Sequence, residues 1–336
     1  VTGVQTCALP IYMTDPRLTS ISSYKKKFVY TGAEYEYISS SFSYDGLSYV
    51  TSCGDNTYRI HSIEQPNKPV LLKSQQYGTG LIKHTHHPRV LLTTFNNRGL
   101  LNSLGLLSFD KKEFNRVFHG HTDEVISIDQ NNTSDMFMST AFDNRLMLWD
   151  QRIENACVAN VMFPEAPIAC FNNDGSQVMV VANENTESKS MLYVFELSQM
   201  PYVPMKEIEL PYNDMYRKIT RSLDGQRVAV SAVDGTIVVI SYIFDSQKQQ
   251  LIKTEHTGFS PCIEFSPDGG NLLYSNETNG TVHIYTFETE TTSTLQQQNQ
   301  TLVKTISCNI RYPIIATACS VVNWWMFDDG LYGSQD

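Results

Sequence analysis

A short polar turn ending in Asp-Gly recurs along the chain. It stands in "SYDG" at Asp45-Gly46, "NNDG" at Asp174-Gly175, "SLDG" at Asp224-Gly225 and "SPDG" at Asp268-Gly269. Degenerate copies fill the gaps: "HHP" at His87, "NTSD" at Asp135 and "RYP" at Tyr312. Anchored at 45, 87, 135, 174, 224, 268 and 312, the copies lie 42, 48, 39, 50, 44 and 44 residues apart. A near-constant period of this length means one supersecondary unit repeated. Each unit buries its apolar faces against its neighbours rather than in a single central core.

Each unit continues alike. After the turn comes an apolar run such as "RVAVSA" (227–232), "NLLYSN" (271–276) or "IIATAC" (314–319). A tight turn follows, at Asp55-Asn56, Asp143-Asn144, Asp234-Gly235 or Asn279-Gly280, and then a second run such as "TIVVIS" or "RLMLWD". Asx-Gly and Asx-Asn accept the positive φ that two-residue hairpins require. The runs are short and rich in Val, Ile, Leu and Tyr, so they read as strands. No convincing helix of 12 or more residues is present. Seven evenly spaced four-stranded units predict an all-β, seven-bladed β-propeller rather than a sandwich. The last unit, residues 301–328, has room for three strands, while an extra run, "KKKFVYT" (25–31), precedes the first. An N-terminal strand completing the last blade would remove two exposed edges.

One unit carries a polar signature. In "HGHTDEV…STAFDNRLMLWD" the intervals from His121 to Ser139, Ser139 to Asp143 and Asp143 to Trp149 are 18, 4 and 6 residues. This is the spacing of the WD40 structural tetrad: Asp accepts from the imidazole, the imidazole from the Ser hydroxyl, and the Ser oxygen from the indole N–H. Worn copies stand elsewhere, as Thr51, Asp55 and His61, as Ser275, Asn279 and Tyr285, and as Asp234 and Ile240. His121, Ser139 and Asp143 also look like a hydrolase triad, but at this spacing a structural role is the simpler reading.

Composition excludes several classes. At 41% hydrophobic and 18% charged residues the chain can bury a large core. A net charge of −10 argues against direct, sequence-independent nucleic-acid binding. No run of about 18 apolar residues is present, so no membrane-spanning segment is expected. None of the seven cysteines forms a Cys-x-x-Cys pair, which suggests buried thiols rather than a zinc site or disulfide scaffold. Residues 1–12 resemble the translation of a sequencing-adapter oligonucleotide. The native reading is therefore expected to start at Met13, with a tail over 13–23, the propeller over 24–330 and a short tail over 331–336.

Few features point to chemistry. His84, His86 and His87 are the most metal-like, but no carboxylate or Cys is near them in sequence, so no metal is expected. Glycine-rich phosphate loops are absent and no cofactor is expected. An enzyme built on a propeller would need carboxylates or histidines clustered at the channel, and no such cluster is legible. Arg221, in "ITRSLDG", takes the place that Phe265 fills in "IEFSPDG", which reads as a pore-side Arg or a contact for an acidic ligand. "WWMF" (324–327) reads as core, and Lys25-Lys26-Lys27 as a solvated edge.

The order of the units resembles the WD repeat-containing protein 82 family, propeller subunits of the COMPASS histone methyltransferase complex and, in yeast, of the cleavage and polyadenylation factor. Four stretches carry the likeness: "QYGTGLIKHTH" (76–86), "HGHTDEVISID…DNRLMLWDQR" (119–152), "LDGQRVAVSAVDGTIVVI" (223–240) and "PIIATACSVVNWW" (313–325). Residues 183–190 and the Gln-rich 294–301 depart from the pattern and read as divergent loops. The resemblance implies a nuclear, non-catalytic docking subunit for a SET-domain enzyme acting on histone H3 lysine 4. It also implies links to the phosphorylated tail of RNA polymerase II, to cleavage/polyadenylation factors and to a phosphatase complex. A phosphorylated tail needs Arg or Lys donors. The candidates are Lys83, Arg217, Lys218 and Arg221, with Tyr77, Phe142 and Phe259 as aromatic anchors. The alternative is a propeller adaptor of another assembly, such as a ubiquitin ligase or a trafficking scaffold.

Overall fold

The computed structural model describes residues 23–327 except 98, 155, 185–188, 201–202, 212–214, 242–247, 255–259, 277–279 and 296–301. It is a seven-bladed β-propeller: seven four-stranded antiparallel sheets, each with its strands ordered from the channel outward. The innermost strands are Tyr37–Phe42, Ile82–His84, Val125–Gln130, Ile168–Phe171, Tyr216–Arg221, Ile263–Phe265 and Thr305–Cys308, for blades 1 to 7. Each contacts the next, and the seventh contacts the first, so the ring is shut.

The alternation seen in the sequence sets the packing. Within Arg227–Ala232 of blade 5, Val228, Val230 and Ala232 face blade 4, while Ala229 faces blade 6. Successive side chains of a strand point to opposite faces, and both faces of every blade are covered. The core is accordingly divided into seven apolar clusters, one in each gap between blades. Hairpins turn where Asx and Gly allow positive φ, at Asn56 (58°), Asn144 (62°) and Gly235 (83°).

Closure follows the predicted route. Tyr24–Tyr30 pairs antiparallel with Val322–Phe327 as the outermost strand of blade 7, from Tyr24 opposite Phe327 to Tyr30 opposite Val322. The Lys25–Lys27 run therefore lies on a sheet edge, where charge discourages further strand pairing. Trp324 is fully buried against Tyr49 of blade 1, with ring centroids 5.2 Å apart, and Trp325 donates to Thr317 Oγ1 at 3.1 Å. That Trp–Thr pair occupies the tetrad's Trp and Ser places in blade 7. The sequence reading missed it because a shorter hairpin sets Thr317 and Trp325 8 residues apart, where Ser139 and Trp149 are 10 apart.

Neighbouring blades are also clasped at the turns after the innermost strands. Asn131 Nδ2 donates to the Gly175 carbonyl at 2.9 Å, and Asn309 Nδ2 to the Gly46 carbonyl at 2.8 Å. Gly175 sits at φ 73°, and a Cβ there would lie 2.1 Å from Asn131 Oδ1. The Asp-Gly period thus reflects both turn geometry and the close approach of the adjacent blade. Residues 183–184 and 189–190, expected to be loop, instead extend the two central strands of blade 4 as paired residues. The Gln-rich stretch falls largely outside the described residues.

Candidate functional site

The tetrad is closed. His121 Nδ1 lies 3.0 Å from Asp143 Oδ2, His121 Nε2 lies 2.8 Å from Ser139 Oγ, and the Trp149 indole N–H donates to Ser139 Oγ at 2.8 Å. Ser139 is fully buried, and its oxygen is engaged by both His121 and Trp149. A nucleophile needs an approachable oxygen, so the arrangement is that of a pin rather than a catalytic triad. The worn copies are rewired. Asp55 pairs with Arg59 at 2.5 Å instead of a histidine, and His61 Nδ1 bonds the Pro66 carbonyl at 2.7 Å. Asn279 lies outside the described residues.

Seven side chains, one per blade, ring the channel at one level: Ser41, Lys83, Asp129, Cys170, Thr220, Glu264 and Ser307. Each stands two residues before the amide that opens its blade's inner turn. Arg221 stands one place further along and reaches across the channel. Its Nη1 lies 2.5 Å from Asp129 Oδ2, and its Nε donates to Asn173 Oδ1 at 3.1 Å. Lys83 Nζ approaches the other Asp129 oxygen at 3.2 Å, and the Phe171 amide donates to Oδ2 at 3.0 Å. Burial alone would raise the Asp129 carboxyl, but Arg221 and Lys83 outweigh it and hold the group below the usual carboxylate range. Among the described residues no cation lies within ion-pair distance of Glu264. Burial pushes its carboxyl up to about 7 against the weaker pull of Lys83 and Arg221.

These contacts correct one expectation: carboxylates do gather at the channel. Asp129, however, is already committed to two cations and an amide, which removes it from acid–base work. Arg221 is pore-side, as its position suggested, and its charge is neutralised within the protein. His84 is buried beside Ser41, and burial drives its imidazole down to about 3.

The opposite mouth of the channel, on the face bearing the central hairpin turns, is different. A cavity of about 500 Å³ is lined by Glu36, Tyr37, Lys218, Cys262 and Lys304, among others, and a second of about 390 Å³ by Phe142, Glu165, Asn183 and Tyr216. Arg217 borders both. It falls at a register shift between Tyr216 and Lys218, a bulge that re-aims the side chain at the end of the strand. Its guanidinium sits 5.0 Å from the ring centroid of Phe142, which is exposed although two blades away. Lys218 Nζ lies 2.7 Å from Cys262 Sγ, and Lys304 pairs with Glu36 at 3.4 Å.

The sequence candidates therefore separate. Arg217, Lys218 and Phe142 converge at this mouth, joined by Lys304, which the sequence reading did not single out. Lys83 and Arg221 belong to the channel network. Tyr77, half-buried in the connection leading into blade 2, packs against Phe95 and Phe114, with centroids 4.8 and 4.7 Å away. Phe259 lies outside the described residues. Lys83 and Glu264 each stand four residues before their turn anchors, but Asp129 stands six before Asp135, so the column emerges only when the strands are aligned on the amides of Thr85, Asn131 and Ser266 that open the turns.

Comparison with known proteins agrees with this architecture. The WD domain, G-beta repeat family matches residues 112–150, which span the outermost strand of blade 2 and the first three strands of blade 3 and include the complete tetrad. WD repeat-containing protein 82 of Drosophila melanogaster is 25% identical over 288 residues, covering 85% of this chain and 88% of that protein. COMPASS component SWD2 of Saccharomyces cerevisiae is 20% identical over 305 residues, covering 86% and 90%. Set1 complex component swd2 of Schizosaccharomyces pombe is 26% identical over 243 residues, covering 71% and 64%. The chain is a seven-bladed propeller with a WD-type repeat over residues 112–150, and it resembles the WD repeat-containing protein 82 and Swd2 proteins over most of its length.

Proposed function

We propose that this protein is a non-catalytic scaffold subunit of a nuclear, COMPASS-type complex, in which it docks a SET-domain histone H3 lysine-4 methyltransferase. The similarity to proteins named as Set1 complex and COMPASS components, extending over 86% of the chain in one case, carries the reading. The locked tetrad and the clamped Asp129 support a role without catalysis. Purification of the tagged chain from its own cells, followed by mass spectrometry, is expected to recover methyltransferase subunits, with cleavage/polyadenylation or phosphatase subunits as further partners. Recovery of cullin-type or coat proteins in their place would overturn the assignment.

The basic mouth is the proposed peptide site. Arg217 and Lys218 offer donors for phosphate beside the exposed ring of Phe142, the chemistry a phosphorylated polymerase tail would need. In fluorescence anisotropy with a serine-5-phosphorylated tail peptide, the Arg217→Glu/Lys218→Glu pair is expected to weaken binding at least ~10-fold, about 1.4 kcal/mol. The unphosphorylated peptide is expected to bind weakly to both proteins. Equal binding by the wild type and the charge-reversed pair would remove the site.

A further inference from the structure

Of the three histidines set aside in the sequence for want of a nearby carboxylate, His86 and His87 acquire one in the fold. His86 and His87 lie on the turn after the innermost strand of blade 2, and Asp135 lies on the corresponding turn of blade 3. The ligand atoms of all three lie within 4.8 Å of one another. His86 Nε2 is 3.3 Å from Asp135 Oδ1, and His87 Nε2 is 3.7 Å from the same oxygen.

These separations can be set against two arrangements. A charge-assisted hydrogen bond from imidazole to carboxylate closes to roughly 2.7–2.9 Å. Ligand atoms around a tetrahedral zinc, each at about 2.1 Å from the ion, stand roughly 3.4 Å apart. The two imidazole-to-carboxylate separations lie nearer the second distance, and the third pair of ligand atoms stays within 4.8 Å. Two imidazoles face a single oxygen across the two blades, so a cation drawn in between them would replace two long imidazole–carboxylate contacts with three coordinate bonds.

The donors are held in place. The Thr85 hydroxyl accepts from the His87 amide at 3.2 Å, and the His87 carbonyl accepts from the Val90 amide at 3.0 Å. On the other blade, the Asp135 carbonyl accepts from the Gln151 amide at 3.0 Å, and the preceding Ser134 carbonyl accepts from Gln130 Nε2 at 3.0 Å. The His87 side chain is 61% exposed, so the cluster opens to solvent.

We propose that His86, His87 and Asp135 bind a divalent transition cation of the zinc type, with water in the open fourth position. Two imidazole nitrogens and one carboxylate oxygen form a donor set suited to zinc and poorly suited to calcium or magnesium. The ion would tie blade 2 to blade 3 at the rim of the channel, on the face opposite the basic mouth.

Isothermal titration of the chelator-treated full chain with zinc chloride tests this. The wild type is expected to bind one ion per chain, and His87→Ala and Asp135→Asn each to weaken binding at least ~10-fold. His119→Ala, an exposed histidine outside the trio, is expected to bind as the wild type does. Circular dichroism in chelator is expected to be the same for all four proteins, because the substituted side chains are partly or largely exposed. Absence of saturable uptake, uptake that survives the His87→Ala/Asp135→Asn pair, or equal loss in His119→Ala would overturn the proposal.

Discussion

At the scale of single residues, the channel and the tetrad place the largest energies on a few buried polar groups. Arg221→Ala would leave Asp129 buried with only Lys83 and the Phe171 amide, so a loss of about 3–5 kcal/mol in urea unfolding is expected. Ser139→Ala would strand the His121 and Trp149 nitrogens together, with an expected loss of about 2–4 kcal/mol by the same measurement. Glu264 makes stability depend on pH. Its folded carboxyl titrates near 7, above the unfolded value, so the folded state holds the extra proton and stability falls as pH rises from the unfolded value through about 7. Glu264→Gln is expected to abolish that fall, so that the variant gains about 2 kcal/mol on the wild type between pH 5 and pH 8. A parallel pH dependence in the two proteins would contradict this. The tetrad was legible because its members lie on one blade at fixed intervals. Arg221 and Asp129 were not seen as a pair because 92 residues separate them, and no local pattern encodes a meeting across the channel.

At the scale of elements, the turns and strand faces were readable for a physical reason. Every anchor from Asp45 to Tyr312 lies in the turn after an innermost strand, where Asp, Asn and Gly in five of the copies and Pro in the two at His87 and Tyr312 are the residues that turns favour. Alternation in runs such as "RVAVSA" reports directly which side chains enter which gap between blades. What escaped was the bulge that re-aims Arg217, since its register shift leaves no compositional mark. The clasp between turns is testable at this scale. Gly175→Ala combines a left-handed φ with a clash against Asn131, so a loss of about 1–3 kcal/mol is expected in thermal or urea unfolding. An Asn131→Ala background should absorb much of it, and a full loss there would show that the clash is not the cause.

At the scale of the whole molecule, stability is distributed around a ring rather than concentrated in one nucleus. Each inter-blade cluster depends on two neighbours, so opening the circle anywhere weakens the packing on both sides. The seam lies where Tyr24–Tyr30 meets Val322–Phe327, and the two ends of the propeller finish side by side there. Removal of residues 1–30 would expose the strand ending in "WWMF" along its whole edge. Light scattering is expected to detect aggregation of that truncated chain, with a fall in midpoint of at least ~10 °C in any monomer that survives. Because Tyr24 and Phe327 are partners, a donor and an acceptor dye attached just beyond them would sit close together while the circle is intact and part as soon as it springs open. The molecule thus carries a built-in gauge of its own integrity at a rim position remote from both channel mouths. Handles for immobilisation placed there would leave either face free to engage its partners.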